Sequence, residues 1–131
     1  MAQCAHEFGG HILLTHSGGG HFVPGYSSSG TVKQAKGLIK LGAFVEVSVH
    51  WFVGASAIWP ISIPTHLTDW LREMESPEGI VMSTDLGQPS VLNPIEGYRV
   101  SIRLLLHAGF SKEFLKVIYQ DNAVKALYLD E

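Results

Sequence analysis

Three short apolar runs, each entered from glycines and each followed by a stretch with helical spacing, constrain this chain more than any other feature. Ile12, Leu13 and Leu14 lie between Gly9–Gly10 and Gly18–Gly20. From Ala43 to Val49, Val45, Val47 and Val49 alternate with Phe44, Glu46 and Ser48. Ile80, Val81 and Met82 follow Gly79 and lead into Ser83, Thr84 and Asp85. Runs of this length and bounding fit strands packed on both faces. Between them, Thr31 to Leu41 puts Val32, Ala35, Leu38, Ile39 and Leu41 on one helical stripe and stops at Gly42. Thr65 to Glu75 turns Leu67, Trp70, Leu71 and Met74 inward, and Ser76 to Gly79 breaks it. After the third strand, Asn93 is a helix cap, Pro94 takes the first helical position and Glu96 reaches back to the cap. Ile95, Tyr98, Ile102, Leu105 and Leu106 are expected on that helix's buried face, which ends at Gly109. Ser111 opens a further helix with Phe114, Leu115, Val117 and Ile118 inside, and an amphipathic tail runs from Asp121 to Leu127. Strands alternating with helices pair in parallel, so the expected class is α/β, an open layer or a barrel.

The composition removes several functions. Nine Lys and Arg against twelve Asp and Glu give a formal charge of −3, and the basic residues are scattered. That leaves no electrostatic footprint for nucleic acid or an acidic membrane. No apolar run reaches the roughly 18 residues needed to span a bilayer, because Glu46, His50, several glycines and Pro60 interrupt the stretch from Ala43 to Ile63. The N-terminus lacks the basic-then-apolar order of a signal peptide. Cys4 is the single cysteine, which excludes an internal disulfide and a cysteine-rich zinc module and fits a reducing, cytoplasmic setting. Charged residues make up 16% of the chain, below the roughly 25% usual in soluble domains, so part of the surface is expected to be covered. The length of 131 residues is enough for one domain with a real core.

Each strand ends in groups able to bind metal or move protons: Thr15 and His16, then His50, then Thr84 and Asp85. In parallel α/β architectures ligands bind beyond the carboxyl ends of the strands. For His16 the plain alternative is a ring bonded to nearby backbone, and for His50 a structural side chain. An acid at the end of an apolar strand is costly unless a metal, a cation or hydrogen-bond donors compensate it, which favours a functional Asp85. His21, in the glycine-rich loop Ser17–Gly30, either touches substrate or is solvated. That loop lacks the lysine of a phosphate-binding loop, so it is read as one that bends near a substrate or is simply flexible. Cys4 has no neighbouring base to make it a nucleophile.

Five segments, Ile12-Leu-Leu-Thr-His16, Gly42-Ala-Phe-Val-Glu46, Ile80-Val-Met-Ser-Thr-Asp-Leu-Gly-Gln88, Asn93-Pro-Ile-Glu-Gly97 and Asp121-Asn-Ala-Val-Lys-Ala-Leu127, together resemble the C-terminal part of amidohydrolase-superfamily proteins, on the TatD-like and phosphotriesterase-like branch of metal-dependent hydrolases. The resemblance implies that residues 1–131 form one partial (β/α)8 TIM-barrel domain, about strands six to eight with C-terminal helices. It implies that His16 is the strand-six metal ligand and Asp85 the strand-eight aspartate, ligand and catalytic base together. His50, His21 and Gln88 then line the substrate pocket. A second register, with His16 and His50 as the strand-five and strand-six pair, leaves too little chain for the strand before Gly79. The expected cofactor is a divalent metal, zinc, manganese or iron, whose bound water attacks an ester, amide or phosphoester of a small molecule.

The family's first-strand His-x-His pair is absent from this sequence, and two ligands fall short of the three usual for catalytic zinc. The expectation is therefore a hydrolase fragment, inactive as an isolated chain, completed by the missing N-terminal barrel half or by a homo-oligomer. The alternative is a non-catalytic α/β module that assembles through the apolar loop from Trp51 to Ile63.

Overall fold

Val45, Val47 and Val49 are fully buried, and the strand they organise is the middle of a three-stranded parallel sheet. The computed structural model describes residues 11–15, 31–50, 64–87 and 92–127, with residues 64–66 described by their backbone. In chain order these form β1 (Leu13–Leu14), α1 (Val32–Lys40), β2 (Phe44–Ser48), α2 (Pro64–Met74), β3 (Ile80–Ser83), α3 (Pro94–His107), α4 (Lys112–Lys116), a π-helical turn (Val117–Asp121) and α5 (Asn122–Ala126). The strand order is β1-β2-β3, so the chain is α/β with a parallel sheet, as the alternation of elements predicts. None of the described helices is long and apolar enough to cross a membrane.

The register decides what each face of the sheet does. Leu14 pairs with Val45, Val45 with Ile80, Val47 with Met82 and Ser48 with Ser83. Side chains alternate along a strand, so Val45, Val47, Val49, Ile80 and Met82 share one face. They pack with Ala35 of α1, Leu67, Trp70, Leu71 and Met74 of α2, Leu105 of α3, Leu115 of α4 and Ile118. The stripe expected on α2 is buried at all four positions. Burying one such side chain contributes about 1.5–3 kcal/mol, so α2 is held mainly by this stripe. The opposite face carries Glu46, Ser48 and Ser83.

Several elements differ from expectation, each for a physical reason. On α3 the buried residues are Gly97, Ser101 and Leu105, while Ile95 is 62% exposed and Tyr98 and Leu106 also reach solvent. The small residues of this helix are the ones covered by neighbouring segments, the loop after β3 and the π-helical turn. A Cβ on Gly97 would stand 2.1 Å from Leu86 Cδ1, and Ser101 Oγ accepts from Tyr119 Oη at 2.6 Å while donating to the Tyr98 carbonyl at 3.0 Å. Asn93 caps the helix by accepting from Ile95 N at 2.9 Å. Glu96 pairs with Arg99 one turn on rather than reaching back to the cap. Leu41, expected on the α1 stripe, is that helix's C-cap residue and is exposed. The C-terminal tail is interrupted by the π-helical turn, whose one-residue shift precedes a buried Asn122.

Gly79 enters β3 with φ +73, and a Cβ there would lie 2.8 Å from both Ile39 Cγ1 and Cγ2. The left-handed backbone and the pressure of α1 both require glycine. Gly79→Ala is expected to destabilise the fold by about 1–2 kcal/mol or more, read as a lower urea midpoint at unchanged slope. Ile39→Ala in the same chain removes the clash, so the two substitutions should couple in a double-mutant cycle.

Candidate functional site

Because the three strands are parallel and adjacent, their carboxyl ends lie on one side of the sheet, the side where ligands bind in such folds. Of the residues expected there, His50 and Asp85 are described. His16, His21 and Gln88, like Cys4, the loop Ser17–Gly30 and the apolar loop from Trp51 to Ile63, lie outside the described residues. The strand ends of β2 and β3 are laced by Val49 N donating to Ser83 O at 2.8 Å and His50 N donating to Thr84 O at 2.9 Å. His50 is 5% exposed.

Asp85 is exposed, and its backbone is left-handed, with φ 48. That conformation is uncommon outside glycine, and aspartate tolerates it better than most residues. It persists where the surroundings fix it, and such positions cluster at functional sites. Three contacts fix it here. The ladder from β2 reaches Thr84, the residue before it. Leu86 N lies 3.5 Å from Thr84 Oγ1. Leu86 itself seats over Gly97 of α3, where no side chain stands in the way.

Below this end, on the face away from the apolar core, lies a polar cluster centred on Glu46, which is 5% exposed. Ser48 Oγ donates to Glu46 Oε1 at 2.9 Å, and Ser83 Oγ donates to the same oxygen. Bonds to an ionised acceptor are the stronger kind and offset part of the cost of burying the carboxylate. Ser83 is half-buried and stands two residues before Asp85. The sequence reading saw Glu46 as one position of an alternating strand and gave it no role. The signal was there: the argument that singled out Asp85, an acid in an apolar strand, applies to Glu46 with greater force.

Among the described residues no three histidine, cysteine, aspartate or glutamate side chains gather to hold a metal ion. Asp85 offers one donor, so the described part of the chain does not by itself make a metal site. Burial, and then the negative charge of Glu46, push the Tyr98 phenol above its ordinary value. Burial also raises the Tyr119 phenol, against the smaller opposing effect of its bond with Ser101.

No family model, curated protein or solved structure matches the chain.

Two outcomes test this description. Ser83→Ala removes one of the two hydroxyl donors from Glu46 and is expected to cost about 1.5–3 kcal/mol, measured as a lower denaturant midpoint. For the tyrosines, the neutral phenol is favoured in the folded protein. Their contribution is therefore complete below the unfolded value of about 10 and is lost as pH rises from there toward the folded values. Stability should fall on the alkaline side in parallel with phenolate absorbance, and Tyr98→Phe with Tyr119→Phe should flatten that fall.

Proposed function

We propose that this chain contributes the carboxyl-end site of a metal-dependent hydrolase of amidohydrolase type, as about strands six to eight of a (β/α)8 barrel. The observation that carries the reading is Asp85, an exposed carboxylate held in left-handed backbone just beyond an apolar strand, beside the strand that leads into His50. The parallel order of the three strands supports it, since a barrel orders consecutive βα units this way.

In this reading His16 and Asp85 would be this chain's donors to a divalent ion, zinc, manganese or iron, which would supply activation of water for hydrolysis. Asp85 would also be the proton acceptor. His50 lines the pocket, with His21 and Gln88 on the substrate side. The substrate is a small ester, amide or phosphoester. The other donors would come from an N-terminal barrel half outside residues 1–131, and these residues alone would be inactive. A reducing, cytoplasmic setting accords with the single cysteine.

A second reading, a non-catalytic module that assembles through apolar surface, is favoured by one observation. Ile95 and Leu106 lie exposed on the same flank of α3, where a covering surface would bury them.

The test is metal and substrate binding by the chain alone and after co-expression with an N-terminal barrel half. Calorimetry with manganese or zinc should show weak binding to the chain alone. Hydrolysis of chromogenic esters and phosphoesters should appear only in the complemented form and drop at least about a hundredfold in Asp85→Asn and in His16→Ala. Tight stoichiometric metal binding by the lone monomer, or full activity in Asp85→Asn, would refute the assignment.

A further inference from the structure

Between β2 and β3 the ladder keeps its two-residue rhythm as far as Ser83 and then loses it. Val45 N donates to Gly79 O and Val49 N to Ser83 O, both at 2.8 Å, the second bond lying four residues further along each strand. The next bond comes after a single residue: His50 N donates to Thr84 O at 2.9 Å. Adjacent carbonyls of an extended strand point to opposite sides, so two in a row turned toward β2 mark the place where the pair leaves the regular ladder. Asp85, with φ 48, comes directly after. Ser83 is thus the last residue of the regular ladder, and what holds Ser83 holds the start of the Asp85 corner.

Ser83 is held by Glu46. The register sets Glu46 against Val81 and Ser48 against Ser83. The Glu46 side chain nevertheless takes its bonds one pair further on, from Ser48 Oγ at 2.9 Å and from Ser83 Oγ, both on Oε1. Its carboxylate therefore stands at the level of the last regular pair, on the side of the strand ends. Glu46 and Ser48 are both buried, and a buried carboxylate keeps its donors because losing them would strand it. The two serines are not equivalent. Ser48 lies on the same strand as Glu46, so its bond stiffens β2 alone. Ser83 lies across the ladder, so its bond grips β3 at the residue where the corner begins.

We propose that Glu46 is a positioning residue of the candidate site: through Ser83 it fixes the end of β3, and with it the left-handed backbone that presents Asp85. Its value to hydrolysis rests on the role proposed for Asp85, whereas the grip itself does not. Glu46 stands outside the apolar cluster that α1 and α2 cover. An apolar residue at that position would keep the strand and leave Ser83 without this acceptor, so the acid serves the corner rather than the core.

The experiment is amide hydrogen exchange by NMR on the full chain, with the HN–Hα coupling and carbon shifts of Asp85 reporting its backbone. Glu46→Ala and Ser83→Ala should each speed exchange of the His50 amide about tenfold beyond any change at Val45, and should remove the left-handed signature at Asp85. A general loss of stability would instead speed both amides by the same factor. Glu46→Gln, which keeps an oxygen acceptor, should restore both readings, and Ser48→Ala should leave them at their wild-type values relative to Val45. Unchanged His50 and Asp85 in a folded Glu46→Ala, no recovery in Glu46→Gln, or a Ser48→Ala effect equal to that of Ser83→Ala overturns the proposal. If Glu46→Ala does not fold, the comparison of Ser83→Ala with Ser48→Ala decides. None of these readings uses hydrolysis, so full activity of Asp85→Asn in the complemented barrel would refute the hydrolase reading and leave the grip of Glu46 standing.

Discussion

The ladder between β2 and β3 is the interaction on which the rest of this structure depends. It fixes Val45 against Ile80 and Val47 against Met82, which assembles the apolar face onto which α1, α2, α3 and the C-terminal helices pack. The same ladder continues through Ser83 and Thr84 and so sets where β3 ends and Asp85 begins. On the other face Glu46 ties the two strands again through Ser83. Core and site are therefore products of one register. A slip of one residue would turn the valines toward the polar face and Glu46 into the core, a penalty large enough to leave a single arrangement.

What the sequence discloses and what it hides follows from how each residue is buried. The stripe of Leu67, Trp70, Leu71 and Met74 is legible because large apolar residues at helical spacing have one place to go. On α3 the same reasoning chose Leu105, which is buried, and Ile102, which packs on the core, together with Ile95, Tyr98 and Leu106, which are exposed, and it passed over the buried Gly97 and Ser101. Close approach selects small residues, and a hydrophobic pattern gives them no weight. Asp85 stood out because it ends a strand, whereas Glu46 was hidden inside one whose alternation looked ordinary. Its partners, Ser48 and Ser83, are polar residues that a strand tolerates anywhere, and only the cross-strand register brings both onto one oxygen. Asn122 was the least legible. An amide in an amphipathic tail reads as surface, and its burial depends on a π-helical turn and on a strand edge that the tail's own sequence does not mention.

Closure of a barrel would meet two carbonyls that side chains already bond, Ile80 O with Asn122 Nδ2 and Met82 O with Tyr98 Oη. In a closed (β/α)8 barrel the last strand pairs with the first, and if β3 is that last strand, the incoming backbone must bond to Ile80 O and Met82 O, where Asn122 and Tyr98 now stand. The exchange replaces side-chain donors with ladder donors, so the gain in hydrogen bonding is small for the carbonyls themselves. It is larger for Asn122, whose buried oxygen can then accept an N–H that the present arrangement does not supply.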